Sequence, residues 1–318
     1  MACLIVSGIP RLIIIVGPTA VGKTDLALSL ARDLGGEIIS ADSMQVYRHM
    51  DIGTAKPSAA QRQLVRHHLL DVVNPDEPFN AALFVEAAAP VIRSLHEQGR
   101  PILIVGGTGL YIRALLGGLF AGPAADEDLR SHYRRQKASR GPDYLYRELT
   151  RVDERAAARI DPNDSVRIIR ALEVMTLTGR SIVEGQAEHG FRDRSYEYIK
   201  IGLTVDRQVL YERIDERTRR MVEEGLVDEV RHLFDLGYGE DLKPLQSMGY
   251  RHAVSHLQGR ITLGEVTRMT ARDTRHYAKR QGTWFRAESD VVWFFNNESE
   301  RIAEYAERFL EGGNREIA

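Results

Sequence analysis

The sequence predicts an α/β fold, a parallel sheet interrupted by a helical insertion. Three observations predict it. Short apolar runs rich in β-branched residues alternate with segments of helical spacing, the pattern of βαβ units. A glycine-rich phosphate-binding pattern sits where the first run meets the first helix. From about Phe120 the apolar runs vanish and Arg/Glu-rich helical segments replace them, until the runs resume near Ile199. The implied layout is a core of residues 1–119 and 196–318 carrying an insertion of residues 120–195.

The first run, Leu12 to Val16, is too short for a helix and reads as a buried strand. It enters Gly17-Pro18-Thr19-Ala20-Val21-Gly22-Lys23-Thr24, and helical spacing follows in Leu26, Leu28, Leu30, Ala31 and Leu34. Strand, G-x-x-x-x-G-K-[ST] loop and helix in this order form a P-loop, so the core is P-loop NTPase-like. The glycines let backbone N–H groups turn toward an anion, and the helix N-terminus adds partial positive charge. Lys23 supplies a full charge for a phosphate and Thr24 a hydroxyl for Mg²⁺.

Gly35-Gly36 ends the helix, and Glu37 to Ser40 reads as a second strand. It delivers Asp42 to the carboxyl edge of the sheet, where open α/β sheets bind ligands. Asp42 also suits the N-cap of a following turn, and the two roles can coexist. Asp51 to Pro57 reads as a loop, and His67 to Val73 as a third strand. Helical spacing runs from Asn80 to Gln98, where Pro90 is expected to bend or divide it. Ile102 to Val105 is a fourth strand, ending in the second glycine-rich turn, Gly106-Gly107-Thr108-Gly109. No apolar strand ends in the Asp that many nucleotide-hydrolysing P-loop proteins use to hold Mg²⁺. That absence favours a transferase of the small-kinase type, or another protein that grips a diphosphate, over a motor or switch.

The insertion predicts helices over Asp128–Ala138, Asp143–Val152, Glu154–Ile160 and Asp164–Thr178. In the last, Arg167 and Arg170 are three apart and share a face. Residues 179–194 read as a return linker. A strand over Ile199–Val205 follows, then one long helix from Val209 to about Leu236. Leu245 to Arg251 is a loop leading into a helix. A basic helix over about Leu263–Gln281 precedes Thr283 to Arg286, and Val291–Phe295 and a terminal helix close the pattern. Tyr277, Trp284 and Phe285 suit packing of the basic helix onto the core, or stacking on bases. His252 and His256 stand four apart with no third metal ligand in view.

The chain has 318 residues, 43% hydrophobic and 28% charged, and a formal net charge of −2. No apolar run approaches the ~20 residues that span a bilayer, and the N-terminus shows no secretory pattern. The single cysteine, Cys3, excludes an internal disulfide and a cysteine zinc site, which fits a reducing cytoplasm. Positive charge is segregated. Residues 130–170 hold 11 Lys/Arg against 6 Asp/Glu, and residues 251–286 hold 8 against 2. Two such stretches point to a polyanionic partner, or to solvated helix faces.

Taken together, the P-loop, Asp42-Ser43-Met44-Gln45-Val46-Tyr47-Arg48, Met50 to Pro57 and Gly106-Gly107-Thr108-Gly109-Leu110-Tyr111 resemble the bacterial tRNA dimethylallyltransferase family. Arg167 to Glu173, Gly249-Tyr250-Arg251 and Tyr277 to Trp284 continue the resemblance, which covers about residues 11–286. It implies transfer of the dimethylallyl group of dimethylallyl diphosphate to N6 of the adenine 3′-adjacent to the tRNA anticodon, assisted by Mg²⁺. The P-loop would then grip a prenyl diphosphate. Asp42 matches the family's proposed base. Lys23, Thr24 with its Mg²⁺, the loop N–H groups and an arginine would stabilise the departing diphosphate. Arg217 is the better match for that arginine and Arg213 the competitor. By resemblance, tRNA contacts fall on Asp42, Ser43, Met44, Gln45, Thr108 and Arg130. They continue with Val166, Arg167, Ile168, Ile169 and Arg170, then Ser247, Met248, Gly249, Tyr250 and Arg251. Many family members carry Gln or Arg where this chain has Val166. A monomer is expected, with no metal beyond Mg²⁺ and no membrane partner. The competing readings are an adenylate isopentenyltransferase acting on free nucleotides and a P-loop small-molecule kinase.

Overall fold

Leu12 to Val16 have no solvent exposure, because the strand they form is covered on both faces. The computed structural model describes residues 8–118, 122–189 and 195–312. Cys3 and the expected boundary at 119/120 lie outside the described residues. The elements in order are β1 (Arg11–Val16), α1 (Lys23–Leu34), β2 (Glu37–Ser40), α2 (Ala59–Leu64), β3 (His67–His68), α3 (Ala81–Glu97), β4 (Ile102–Val105) and α4 (Gly109–Gly117). Then come α5 (Glu127–Arg140), α6 (Tyr144–Val152), α7 (Glu154–Ala157), α8 (Ser165–Thr178) and α9 (Ile182–His189). They are followed by β5 (Glu197–Thr204), α10 (Arg207–Glu223), α11 (Leu226–Asp235), α12 (Tyr250–Leu257), α13 (Leu263–Arg286), β6 (Val291–Phe295) and α14 (Ser299–Leu310).

The chain divides into two compact units, Met1–Leu115 with Arg194–Ala318, and Leu116–Asp193. In the first, six parallel strands among the described residues run in the order β3-β2-β4-β1-β5-β6. Parallel pairing aligns every carboxyl end on one edge of the sheet. The turns after β1, β2, β4 and β6 therefore converge there. Ala41 N–H donates to Val105 O at 2.8 Å and Gly106 N–H to Ile15 O at 3.2 Å, which ties three of those turns together. The core beneath is built from Ile13, Ile15, Leu103, Ile201, Leu203 and Phe294 with the inner faces of α1 and α14.

The second unit is helical. Leu145, Leu149, Ala156, Ala157, Ile168, Ile169, Ala171 and Leu172 form its own core. Asp126, Asp153 and Asp164 cap α5, α7 and α8 by accepting from the N–H three residues on.

Local pattern and structure part at five places. The third strand is only His67–His68, because Leu69 and Asp71 take left-handed backbone at φ 59° and 55°. α3 runs unbroken through Pro90, whose ring is exposed while Phe84, Ala88, Ile92 and Leu95 are buried. The lost hydrogen bond therefore falls on the wet side, where water can replace it. The expected helix from Val209 to Leu236 is two helices, broken at Gly225 with φ 105°. α13 continues to Arg286, past its expected end. The expected linker over 179–194 holds α9, and its remaining residues 190–194 lie outside the described residues. No helix among the described residues is long and apolar enough to cross a membrane.

Candidate active site

The P-loop follows directly from the end of β1. Gly17 has φ 140°, and a Cβ there would stand 2.7 Å from the Leu203 carbonyl oxygen, so only glycine fits. Ala20 takes φ 65°, strained backbone for a residue with a side chain. α1 starts at the N-cap Gly22, and no side chain caps it. The first-turn N–H groups are thus left for an anion. Lys23 Nζ donates to Gly17 O at 3.0 Å and Pro18 O at 2.8 Å. An ammonium has three donors, so one remains.

Both candidate arginines come from α10. Arg217 Nη1 stands 3.3 Å from Thr19 Oγ1, and Arg213 Nη1 stands 3.3 Å from Val21 O. Arg217 is half-buried and Arg213 exposed. Arg217 thus meets a side chain of the loop, whereas Arg213 braces its backbone. Asn296, just beyond β6, braces the same Val21 carbonyl at 3.3 Å.

Asp42 stands at the carboxyl end of β2. Its Oδ1 accepts from Met44 N–H at 2.8 Å and Gln45 N–H at 3.4 Å, an Asx turn that fixes the carboxylate. No hydrogen bond among the described residues reaches Oδ2. The capping role and the open carboxylate oxygen therefore coexist. Thr108 holds both neighbours of Asp42. Its Oγ1 accepts from Ser43 N–H at 3.1 Å, and its N–H donates to Ala41 O at 3.3 Å. Gln45 points inward, donating to Thr54 O and Ala55 O at 3.3 Å and accepting from Ser40 Oγ at 2.9 Å.

Sequence reasoning missed two anchors of these turns. Glu229, on α11, accepts from Asp51 N–H, Ile52 N–H and Gly53 N–H at 2.7, 2.7 and 3.1 Å, and from Tyr250 Oη at 2.6 Å. It pins the loop whose carbonyls hold Gln45. Gln281, on α13, accepts from Thr19 N–H at 2.8 Å and donates to Gly107 O at 3.0 Å. Gln281 lies in a motif quoted above, but no local spacing assigns it a partner. Gly225, inside the expected long helix, was the available signal for the turn that starts α11 and so places Glu229.

These groups line one cleft of about 1340 Å³, with Thr19, Lys23, Thr24, Asp42, Gln45, Arg213, Arg217 and Asn296 in its wall. Burial pulls the Lys23 ammonium down to about 8; the Asp42 charge opposes this and the Arg217 charge adds to it. Burial also lowers Arg217, against the pull of Asp42 and with the push of Arg220. Burial raises the phenols of Tyr111 and Tyr277, and the Asp42 charge raises both further. The cleft thus joins an anion cradle, the cations Lys23, Arg213 and Arg217, and an available carboxylate. The Thr24 hydroxyl makes no hydrogen bond among the described residues and sits at the anion cradle. That donor set fits a Mg²⁺ held by one hydroxyl, water and the anion's own oxygens.

Pro18, Ala20, Val21 and Gly22 belong to the loop that forms the cradle, Asp42 and Gln45 share its cleft, and Ser43, Met44 and Thr108 make the hydrogen bonds of the Asp42 turn. The other expected contacts divide. Ile168 and Ile169 are 1% and 8% exposed and belong to the helical core. Burying each is worth about 1.5–3 kcal/mol, so their side chains stay inside. Tyr250 is likewise buried, packed where a Cβ on Gly53 would stand 2.4 Å from its ring. Its ring is held inside and its hydroxyl donates to Glu229. Arg130 makes a two-armed bond to the fully buried Glu173 at 2.8 and 2.9 Å, and Arg170 pairs with the same carboxylate. Val166 is 80% exposed, and Arg167 points outward beside Asp164. Ser247 Oγ donates to Pro244 O, Met248 is half-buried, Gly249 takes φ 82°, and Arg251 pairs with Asp273. Among the aromatics, Phe285 is core, and Trp284 packs on Gly109 beneath the Arg113 guanidinium at 4.2 Å. His252 bonds Asp273 and His256 bonds Ile261 O, both as packing contacts.

Comparison with known proteins bears on this geometry. A family model described as IPP transferase matches residues 45–288. A tRNA dimethylallyltransferase 2 of Syntrophus aciditrophicus is 58% identical over 303 residues, covering 95% of this chain and 97% of its own. A tRNA dimethylallyltransferase of Geobacter metallireducens is 51% identical over 283 residues, covering 89% and 92%. Among solved structures, the full-length tRNA isopentenylpyrophosphate transferase of Bacillus halodurans superposes with a TM-score of 0.70 at 43% identity, over 95% of this chain and 97% of its own.

Proposed function

Because the chain belongs to the IPP transferase family, we propose that it transfers the dimethylallyl group of dimethylallyl diphosphate to N6 of the adenosine immediately 3′ of a tRNA anticodon. The observation that carries the reading is the meeting, in one cleft, of an anion cradle with a carboxylate whose second oxygen is open.

The chemistry divides between the two sides of the cleft. The first-turn N–H groups of α1, Lys23 and Arg217 bind the diphosphate and stabilise the charge it gains on leaving. The exocyclic amine is a poor nucleophile, and its proton has to leave as the N6–C1 bond forms and the C1–O bond breaks. Asp42 Oδ2 accepts that proton, while Oδ1 is held by its turn. Mg²⁺, held at Thr24, would add positive charge to the leaving diphosphate. Arg217 suits this role better than Arg213, which meets only a backbone carbonyl. The adenine is taken from a single-stranded loop, where unstacking is cheapest. The unit Leu116–Asp193 is the part we assign to gripping the tRNA, through the exposed Arg167 and its neighbours.

Transfer of a labelled dimethylallyl group tests the proposal, with Mg²⁺, no ATP, and unmodified tRNA or AMP as acceptor. Label is expected on tRNA alone, falling about 10²–10⁴-fold in Asp42→Ala. Label on AMP would make the chain a free-nucleotide enzyme. Loss of ATP with no transfer, once ATP is added, would return it to the kinases.

A further inference from the structure

The two sides of the cleft belong to segments far apart in sequence, and one side chain joins them. Gln281 is 6% exposed and sits in the C-terminal part of α13. Its Oε1 accepts from Thr19 N–H at 2.8 Å, on the loop that would hold the leaving group. Its Nε2 donates to Gly107 O at 3.0 Å, on the turn beside the proposed base. The next residue, Thr108, holds Ala41 and Ser43, which flank Asp42. An unbroken chain of hydrogen bonds thus runs from the P-loop through one amide to the Asp42 turn.

Two features set this amide apart from ordinary packing. Both of its polar atoms are used, in opposite senses, so neither a carboxylate nor an apolar side chain can replace it. Gly107 is shaped around it, since a Cβ there would stand 2.0 Å from Nε2. The backbone is glycine at the one point where the amide presses closest.

We propose that Gln281 is a positioning residue that holds the P-loop and the Asp42 turn at their working separation. The proposal rests on the prenyl-transfer reading above. In that reaction the amine, the carbon under attack, the base and the diphosphate have to line up. An error near 1 Å in such an alignment costs roughly 10²-fold in rate. Gln281 touches no reacting atom, so its loss acts on kcat and spares binding.

Gln281→Met keeps the length of the side chain and removes both hydrogen bonds. At saturating tRNA and dimethylallyl diphosphate, kcat is expected to fall about 10²-fold. KM for the diphosphate, and the affinities for tRNA and for inorganic diphosphate, should stay within about threefold. Gly107→Ala pushes on the same amide and is expected to give the same split. Added to Gln281→Ala, where no amide remains to push, it should cost little more. Should Gln281→Met melt far below the wild type, Gln281→Glu decides. It keeps the acceptor for Thr19 N–H but cannot donate to Gly107 O, and kcat is again expected to fall.

An unchanged kcat in a folded Gln281→Met or Gln281→Glu chain would overturn the proposal. So would a rise in KM alone, which would make Gln281 a plain part of the diphosphate site. A wild-type chain that moves no label onto tRNA would overturn the underlying reading, and the proposal with it. A wild-type chain that transfers while the variants match it would overturn the positioning role alone.

Discussion

The α/β unit and the helical unit both carry arginines that the sequence marks as functional, and they treat them in opposite ways. In the α/β unit Lys23, Arg213 and Arg217 meet carbonyls and a hydroxyl, and no carboxylate pairs with them among the described residues. In the helical unit Arg130 and Arg170 converge on the buried carboxylate of Glu173. The first arrangement keeps positive charge available for a ligand. The second consumes it to hold α5 to α8. The basic stretch of 251–286 behaves like the second: Arg251 and Arg272 share Asp273, and Arg275 pairs with Asp215. Charge counted along a sequence is therefore not charge available at a surface.

The largest expected effect tests that contrast in the helical unit. Glu173→Ala leaves two guanidinium groups facing a hole without their counter-charge. Removing one partner of a buried ion pair costs about 3–5 kcal/mol. Both arginines are about a third exposed, so the lower end, about 3 kcal/mol, is expected. Denaturant unfolding measures it. A loss below about 1 kcal/mol would place the cluster with ordinary surface pairs and erase the contrast.

The next effect probes the α/β unit. The Lys23 ammonium is held down to about 8, first by burial, with Asp42 opposing and Arg217 assisting. A lysine with a lowered pKa is charged below that value and neutral above it. As pH rises through about 8 the free enzyme loses this cation, and kcat/KM for dimethylallyl diphosphate should fall toward tenfold per pH unit. A profile flat to pH 10 would mean that the arginines alone grip the diphosphate. The same profile in Glu173→Ala should keep its limb, because that limb belongs to the other unit.

What was legible in the sequence follows the same division. β1, the P-loop and the start of α1 are written within 24 residues, in a β-branched run and glycine spacing that backbone sterics enforce. Asp42 was legible because a strand end in a parallel sheet has a known location. Glu173 was not. Its burial and its bond to Arg130, 43 residues away, arise only when α5 packs on α8. Gln281 joins residues 262 and 174 positions distant, and no periodicity records such a pairing. The break at Gly225 was visible as a glycine but outweighed by the helical spacing on both sides. Ile168 and Ile169 show how a motif misleads when read whole. Its inward positions, Ile168, Ile169, Ala171 and Leu172, serve the core, and only the outward ones can serve a ligand.

The smallest effect sharpens the comparison most, because it separates two arginines within one unit. Arg167 is 66% exposed and stands 3.5 Å from Asp164 in a loose, solvated pair. Arg130 is locked to Glu173 through both arms of its guanidinium. If exposure decides availability, Arg167→Ala should leave stability within about 0.5 kcal/mol. It should weaken tRNA binding severalfold and lower the slope of log affinity against log salt by about 0.7–0.9, the loss of one phosphate contact. Arg130→Ala should do the reverse, lowering stability because the buried Glu173 keeps only Arg170 of its two arginines, while the salt slope holds. Filter binding across a salt series, beside unfolding curves for both variants, reads both quantities. An equal loss of salt slope in the two would mean that a guanidinium already paired with a carboxylate still binds phosphate, and the distinction between counted and available charge would fail in this unit.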